Sequence, residues 1–173
     1  MSDPHRYLRL SVPEFCQRRA IVRGFVATVS IVLFMGLALS PMGSAAEGRK
    51  QHRVVLQIDQ NDPNIMNLVL NNASNIIEYY RGRDEDVEIE IVAYGPGLHL
   101  LREDTSPVKD RIRRLVEDMF PAKVTFSACN NTKETMEDRE GHSITIVPQA
   151  TLVPSGVVQI MELQEQGWIY VRP

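Results

Sequence analysis

The chain has 173 residues, a formal charge of −3, and charged and hydrophobic fractions of 24% and 43%. These lie near the globular average with neither Pro nor Gly in excess, so one compact domain is expected. An acidic balance without a basic stripe argues against nucleic acid as a partner. His52, His99 and His142 lack metal-ligand spacing, and no Ser-His-Asp arrangement or phosphate-binding glycine loop is present, so the sequence implies neither a metal nor a cofactor.

Residues 1–46 read as a signal peptide. Arg6, Arg9, Arg18, Arg19 and Arg23 precede the apolar run Phe25–Leu39, and Pro41, Gly43, Ser44, Ala45 and Ala46 follow, the order of a secretory leader. The apolar core is about 15 residues, short of the roughly 20 that span a bilayer. Ser44-Ala45-Ala46 offers a cleavage site, and membrane attachment is expected only if the leader stays uncleaved. The pair Arg18-Arg19 loosely resembles a twin-arginine signal, but general secretion is the favoured route. Residues 47–173 form the expected mature domain, periplasmic or secreted, of about 125 residues, large enough to bury a core without staples. Removing the leader takes Cys16 with it and leaves Cys129 as the single thiol of an exported domain, either a buried small hydrophobe or a reactive group.

Arg53–Asp59 (RVVLQID) reads as a buried strand. Asp62 then caps a helix with Pro63 at its first position, and Ile65, Leu68, Val69, Ala73, Ile76, Ile77 and Tyr80 repeat at helical spacing up to Gly82. Val87–Tyr94 (VEIEIVAY) is the second strand. Gly95-Pro96-Gly97 follows it as a loop that can approach a ligand or a neighbour closely. Leu98–Leu101 covers the core. Asp104, Thr105 or Ser106 can cap the next helix, whose buried stripe is Val108, Ile112, Leu115, Val116 and Met119.

Lys123–Thr132 (KVTFSACNNT) is the focal stretch: a β-favouring run, then turn and cap residues, with Cys129 at the junction. Asn131 can cap the following helix, with Glu134 three residues later. Ser143–Ala150 reads as a loop because of Pro148, although Ile144 and Ile146 could begin a strand. A short strand at Thr151–Val153, a turn at Pro154-Ser155-Gly156, a helix burying Val157, Val158, Ile160, Met161 and Leu163, and a last strand at Trp168–Val171 complete the chain. Alternating strands and helices imply right-handed crossovers and a parallel sheet, whose carboxyl edge is where α/β folds place their chemistry. Gly95, Gly97, Ser155 and Gly156 should share that edge with Cys129 as pocket walls, and the N–H groups of Asn130, Asn131 and Thr132 should favour its thiolate.

Taken together, VVLQ at Val54–Gln57, LNNASNI at Leu70–Ile76, EIVAYGPGL at Glu90–Leu98, FSACNNT at Phe126–Thr132, VPSGVVQI at Val153–Ile160 and GWIYVRP at Gly167–Pro173 resemble a DsrE/DsrF-like protein over nearly all of His52–Pro173. The resemblance implies a three-layer α/β/α fold with a mostly parallel five-stranded sheet and a homo-oligomer, a trimer or hexamer. It also implies that Cys129 carries a persulfide, exchanged with a donor or acceptor protein or a small sulfane-sulfur compound. Asn130 stands where the family commonly has Gly, and Asn tolerates left-handed geometry better than most residues. Two alternatives stand beside a sulfur carrier: a non-enzymatic oligomeric binding protein of the same fold, and other redox chemistry at the thiol.

Overall fold

A computed structural model describes residues 49–173. The expected signal peptide, residues 1–46, and Cys16 within it lie outside the described residues. The elements are β1 (Gln51–Ile58), α1 (Pro63–Arg81), β2 (Asp86–Ala93), a 3-10 segment (Gly95–Leu100), α2 (Lys109–Asp118), β3 (Lys123–Cys129), α3 (Asn130–Glu140), β4 (Ala150–Val153), α4 (Gly156–Glu165) and β5 (Ile169–Val171). The strands form one sheet in the order β4-β3-β2-β1-β5, and every neighbouring pair is parallel. The fold class is therefore α/β in three layers, with a sheet that is parallel throughout.

Strand order decides which helix covers which face. The steps from β1 to β2, β3 and β4 all move the same way across the sheet, so right-handed crossovers put α1, α2 and α3 on one face. The connection from β4 to β5 runs back to the far edge, which puts α4 on the other. The three-helix face holds the larger core, with Leu56, Ile58, Ile89, Ile91 and Phe126 from the strands meeting Met66, Leu70, Ile77 and Ile112 from the helices. The α4 face holds a small cluster of Val55, Val92, Ile160, Leu163 and Trp168.

Helix α1 starts as its sequence predicts: the Asp62 carboxylate accepts the Asn64 N–H at 2.7 Å, and Pro63 occupies the first turn, where a missing donor costs nothing. The start of α2 differs. Its cap position is Val108, without a side-chain cap bond: Asp104 pairs with Arg102 at 2.6 Å, Thr105 bonds His99, and Ser106 Oγ accepts the Val108 N–H ahead of the helix. Val116 is exposed, since the stripe that faces β3 and α1 is carried by Ile112 and Leu115. In α4, only Gly156, Ile160 and Leu163 are buried, one stripe at helical spacing. The expected burial of Val157, Val158 and Met161 is not found, because a single helix on that face offers them no packing partner among the described residues. The segment after α3 is a loop, not a strand. Ile144 and Val147 plug the core from it, and a lone bridge joins Arg102 to Ile146.

Candidate functional site

The direction change between α3 and α4 creates a crevice. Strand β3 sends its chain to the three-helix face and its neighbour β4 sends its chain to the opposite face, so the two helix N-termini diverge from adjacent strand ends. Such a divergence at the carboxyl edge of a parallel sheet is where α/β folds bind ligands. Cys129, the last residue of β3, stands in it.

Cys129 occupies the cap position of α3 with extended backbone, φ −68° and ψ 114°. The predicted capping by Asn131 is not formed. The helix begins earlier, and Asn130 lies within its first turn with its side-chain amide donating to Glu134 Oε1 at 2.7 Å. No residue from 129 to 140 has a positive φ, so Asn130 sits where a familial Gly would, without backbone strain. The Asn131 N–H reaches the Pro154 carbonyl at 3.3 Å, which ties the two diverging turns together.

The thiol is only 5% exposed. Burial works to raise its pKa, but nearby donor groups, the Thr132 hydroxyl and the backbone N–H groups of Gly156, Thr132 and Asn131, favour the thiolate, and the net direction is downward. These donors come from both helix N-termini, where unpaired N–H groups and the helix dipole favour an anion. The Asn130 N–H, expected among them, is not one of these donors, and Gly156 takes its place.

Glycine positions explain how the backbone comes so near. A Cβ on Gly156 would lie 2.9 Å from Tyr94 Cβ and 3.3 Å from Cys129 Cβ, so only Gly lets α4 start against the thiol. Gly95 has φ 52°, a left-handed backbone that suits Gly, and its N–H donates to Thr132 Oγ1 at 2.9 Å. With one lone pair of that hydroxyl engaged, its proton is free to point at sulfur. Gly97 has a different task. A Cβ there would lie 2.2 Å from the Ile58 carbonyl oxygen, so it packs the loop onto the end of β1 and is buried. Ser155 is half-buried and makes no side-chain cap bond; its carbonyl accepts the Gln159 N–H at 2.9 Å.

Beside the thiol, a cavity of about 430 Å³ is lined by Gly95, Pro96, Asn131, Thr132, Met136 and Arg139, together with Thr135. Cys129, Gly97, Ser155 and Gly156 do not line it. The structure thus brings Gly95, Asn131, Thr132 and Gly156 to Cys129, while Gly97 lies beneath the loop and Ser155 and Asn130 contribute through backbone and helix. A second cavity of about 410 Å³, lined by Arg81, Glu85 and Phe120 among others, opens at the amino end of β2, away from this edge.

Two features escaped the sequence reading. Tyr94 packs on Gly156, and the alternation that turns Val92 toward α4 turns Tyr94 the same way; that signal was available. Burial, together with the neighbouring Asp59 and Tyr170, raises the Tyr94 pKa against the opposing Arg172, so it stays a neutral phenol. The second is Glu90, 8% exposed in mid-strand, whose Oε1 accepts from Ser127 Oγ at 2.6 Å and from Gln159 Nε2 at 2.8 Å. It anchors α4 to the sheet. Asp104, Glu140 and His142 bring ligand atoms within 4.8 Å of one another, but the two carboxylates already hold Arg102.

No protein-family model matches the chain, and no curated protein matches it. Among solved structures it is similar to that of the MTH1491 protein from Methanobacterium thermoautotrophicum, a protein of unknown function. The two share 32% identity with a TM-score of 0.60, over 70% of this chain and 99% of that one.

Proposed function

The chain belongs to the family of that MTH1491 protein of unknown function, and from its own residues we propose that Cys129 is a sulfur-carrying thiol of the DsrE/DsrF-like kind. The observation that carries the proposal is the seat of Cys129 at the end of β3, between the starts of α3 and α4, where the Thr132 hydroxyl and N–H groups of both helices favour its thiolate. A thiol used only as core filling has no need of them. Thiolate is the nucleophile in sulfur exchange, and stabilising it raises the reactive fraction.

The chemistry requires one cysteine. The Cys129 thiolate attacks the outer sulfur of thiosulfate; a new S–S bond forms, the old one breaks, and sulfite leaves with the electron pair. Cys129 is then a persulfide anion. An acceptor thiolate attacks its terminal sulfur, takes it as a new persulfide and returns Cys129 as thiolate. No net oxidant is consumed. The donor and acceptor sides are a small sulfane-sulfur compound or partner proteins. In this reading the domain works outside the cytoplasm, after export by residues 1–46, as a homo-oligomer.

A second reading rests on its own observation. The thiol is buried and Val157, Val158, Met161, Leu152 and Ile169 are exposed around α4 and the edge strands, which favours a non-enzymatic oligomeric binding protein. One experiment separates the two. The protein is incubated with thiosulfate or polysulfide and its mass is measured, with the modification located on the Cys129 peptide. The carrier reading expects one added sulfur there that is lost in Cys129→Ser. Absence of any adduct favours the binding protein.

A further inference from the structure

Beside Cys129, across Gly156, stands Tyr94, a residue with no place so far in the chemistry. A side chain at position 156 would occupy a point 2.9 Å from Tyr94 Cβ, 3.1 Å from Tyr94 Cδ1 and 3.3 Å from Cys129 Cβ. Tyr94 and Cys129 therefore meet the same small space above Gly156. The backbone of Tyr94 is fixed: its N–H donates to the Ile58 carbonyl at 3.2 Å and its carbonyl accepts the Gly97 N–H at 3.0 Å. The ring packs partly against the Val55, Val92 and Ile160 cluster, and the residue keeps some exposure to solvent. It is an aromatic wall, held at its root and free at its tip.

We propose that Tyr94 is the specificity-determining residue of this site, its ring narrowing the way past Gly156 so that small sulfane-sulfur anions reach Cys129 and bulky thiol reagents do not. The inference rests on the persulfide reading for its substrate class. The anion preference has the same source as the thiolate, since the N-terminal ends of two helices, α3 and α4, meet beside Cys129. A neutral phenol beside them adds no repelling charge.

The test compares two probes on the full chain, with rates read at the Cys129 peptide so that Cys16 does not contribute. Iodoacetamide is the small probe and dithiobis-nitrobenzoate the bulky one. In Tyr94→Ala the bulky probe should react about tenfold faster or more, the equivalent of about 1.4 kcal/mol of barrier, while iodoacetamide changes by a few-fold at most. Tyr94→Phe, which keeps the ring and loses the hydroxyl, should behave as the parent does. Tyr94→Val, which suits a strand end, serves if the Ala variant does not fold, as judged by thermal melting. An unchanged ratio of the two rates, with both unaffected or both raised alike, overturns the proposal. Thiosulfate loading is measured in parallel: no added sulfur with a shifted ratio sinks the carrier reading and leaves the wall, whereas added sulfur with an unchanged ratio does the reverse.

Discussion

Arg102 and Cys129 are both buried, 1% and 5% exposed, and both stand next to the loop that follows β2. Around Arg102 every charge is answered. Its Nε and Nη2 donate to Asp104 at 2.9 and 2.6 Å, and its Nη1 and Nη2 donate to Glu140 at 2.6 and 2.7 Å. Around Cys129 there are donors but, among the described residues, no cation, and the group they favour is a charge the thiol acquires only by losing its proton. The first arrangement is complete at rest and holds α3 to the loop. On the proposed reading the second is complete only as the thiolate, and that difference is what would separate a structural polar group from a chemical one.

Breaking the first centre should have the largest effect on stability. Arg102→Ala is expected to cost about 3 kcal/mol in urea denaturation, toward the low end for breaking a buried pair because both carboxylates can rehydrate. The same pair predicts an acid limb. Hydrogen bonding to Arg102, acting against burial, holds Asp104 at about 2, and it also lowers the pKa of Glu140. A carboxylate depressed in the folded state contributes stability above its unfolded pKa and loses it as pH falls through the folded one. Stability should therefore decline from about pH 5 toward pH 2, and the decline should be shallower in Glu140→Gln. Identical acid limbs would remove this ion pair from the account.

Gly156→Ala comes next, since its methyl would press on Tyr94 and Cys129 together. Overpacking of this kind costs about 1–3 kcal/mol, and alkylation of the thiol should slow as well. A variant with unchanged stability and reactivity would show that the crevice is looser than described. Thr132→Val removes one donor from the sulfur, which raises the thiol pKa and lowers its thiolate fraction at neutral pH. Alkylation at neutral pH should slow several-fold and recover in Thr132→Ser, and stability should fall by about 1 kcal/mol because the Gly95 N–H loses its acceptor. Smallest of all is Asn130→Gly, expected to shift stability by no more than about 1 kcal/mol and to leave thiol reactivity alone, because the position needs no left-handed backbone.

The fold was legible because its elements are strongly patterned. The buried run Val54–Ile58 announces its strand, and Pro63 and Gly82 mark the ends of α1; of the helical repeat between them Val69, Ala73 and Ile77 are buried, while Leu68 is exposed and Met66 and Leu70, outside the expected stripe, complete the core face. Cys129 could be placed at a strand end from alternation alone. The rest depended on partners distant in sequence. Of Asp104, Thr105 and Ser106, the expected caps of α2, none caps it, and Asp104 pairs instead with Arg102; a buried ion pair leaves no periodic trace. The exposed residues of α4 follow from a strand order that no local pattern encodes. Gly156 as a donor to the thiol requires knowing that β4 lies beside β3.

The central claim is that the protein holds Cys129 as an available thiolate, and the pH dependence of its alkylation by iodoacetamide, followed at the Cys129 peptide, tests it most directly. The account predicts a midpoint below the ordinary thiol value that moves upward in Thr132→Val. A midpoint at or above the ordinary value, unmoved by that substitution, would contradict it and leave Cys129 as a buried core residue.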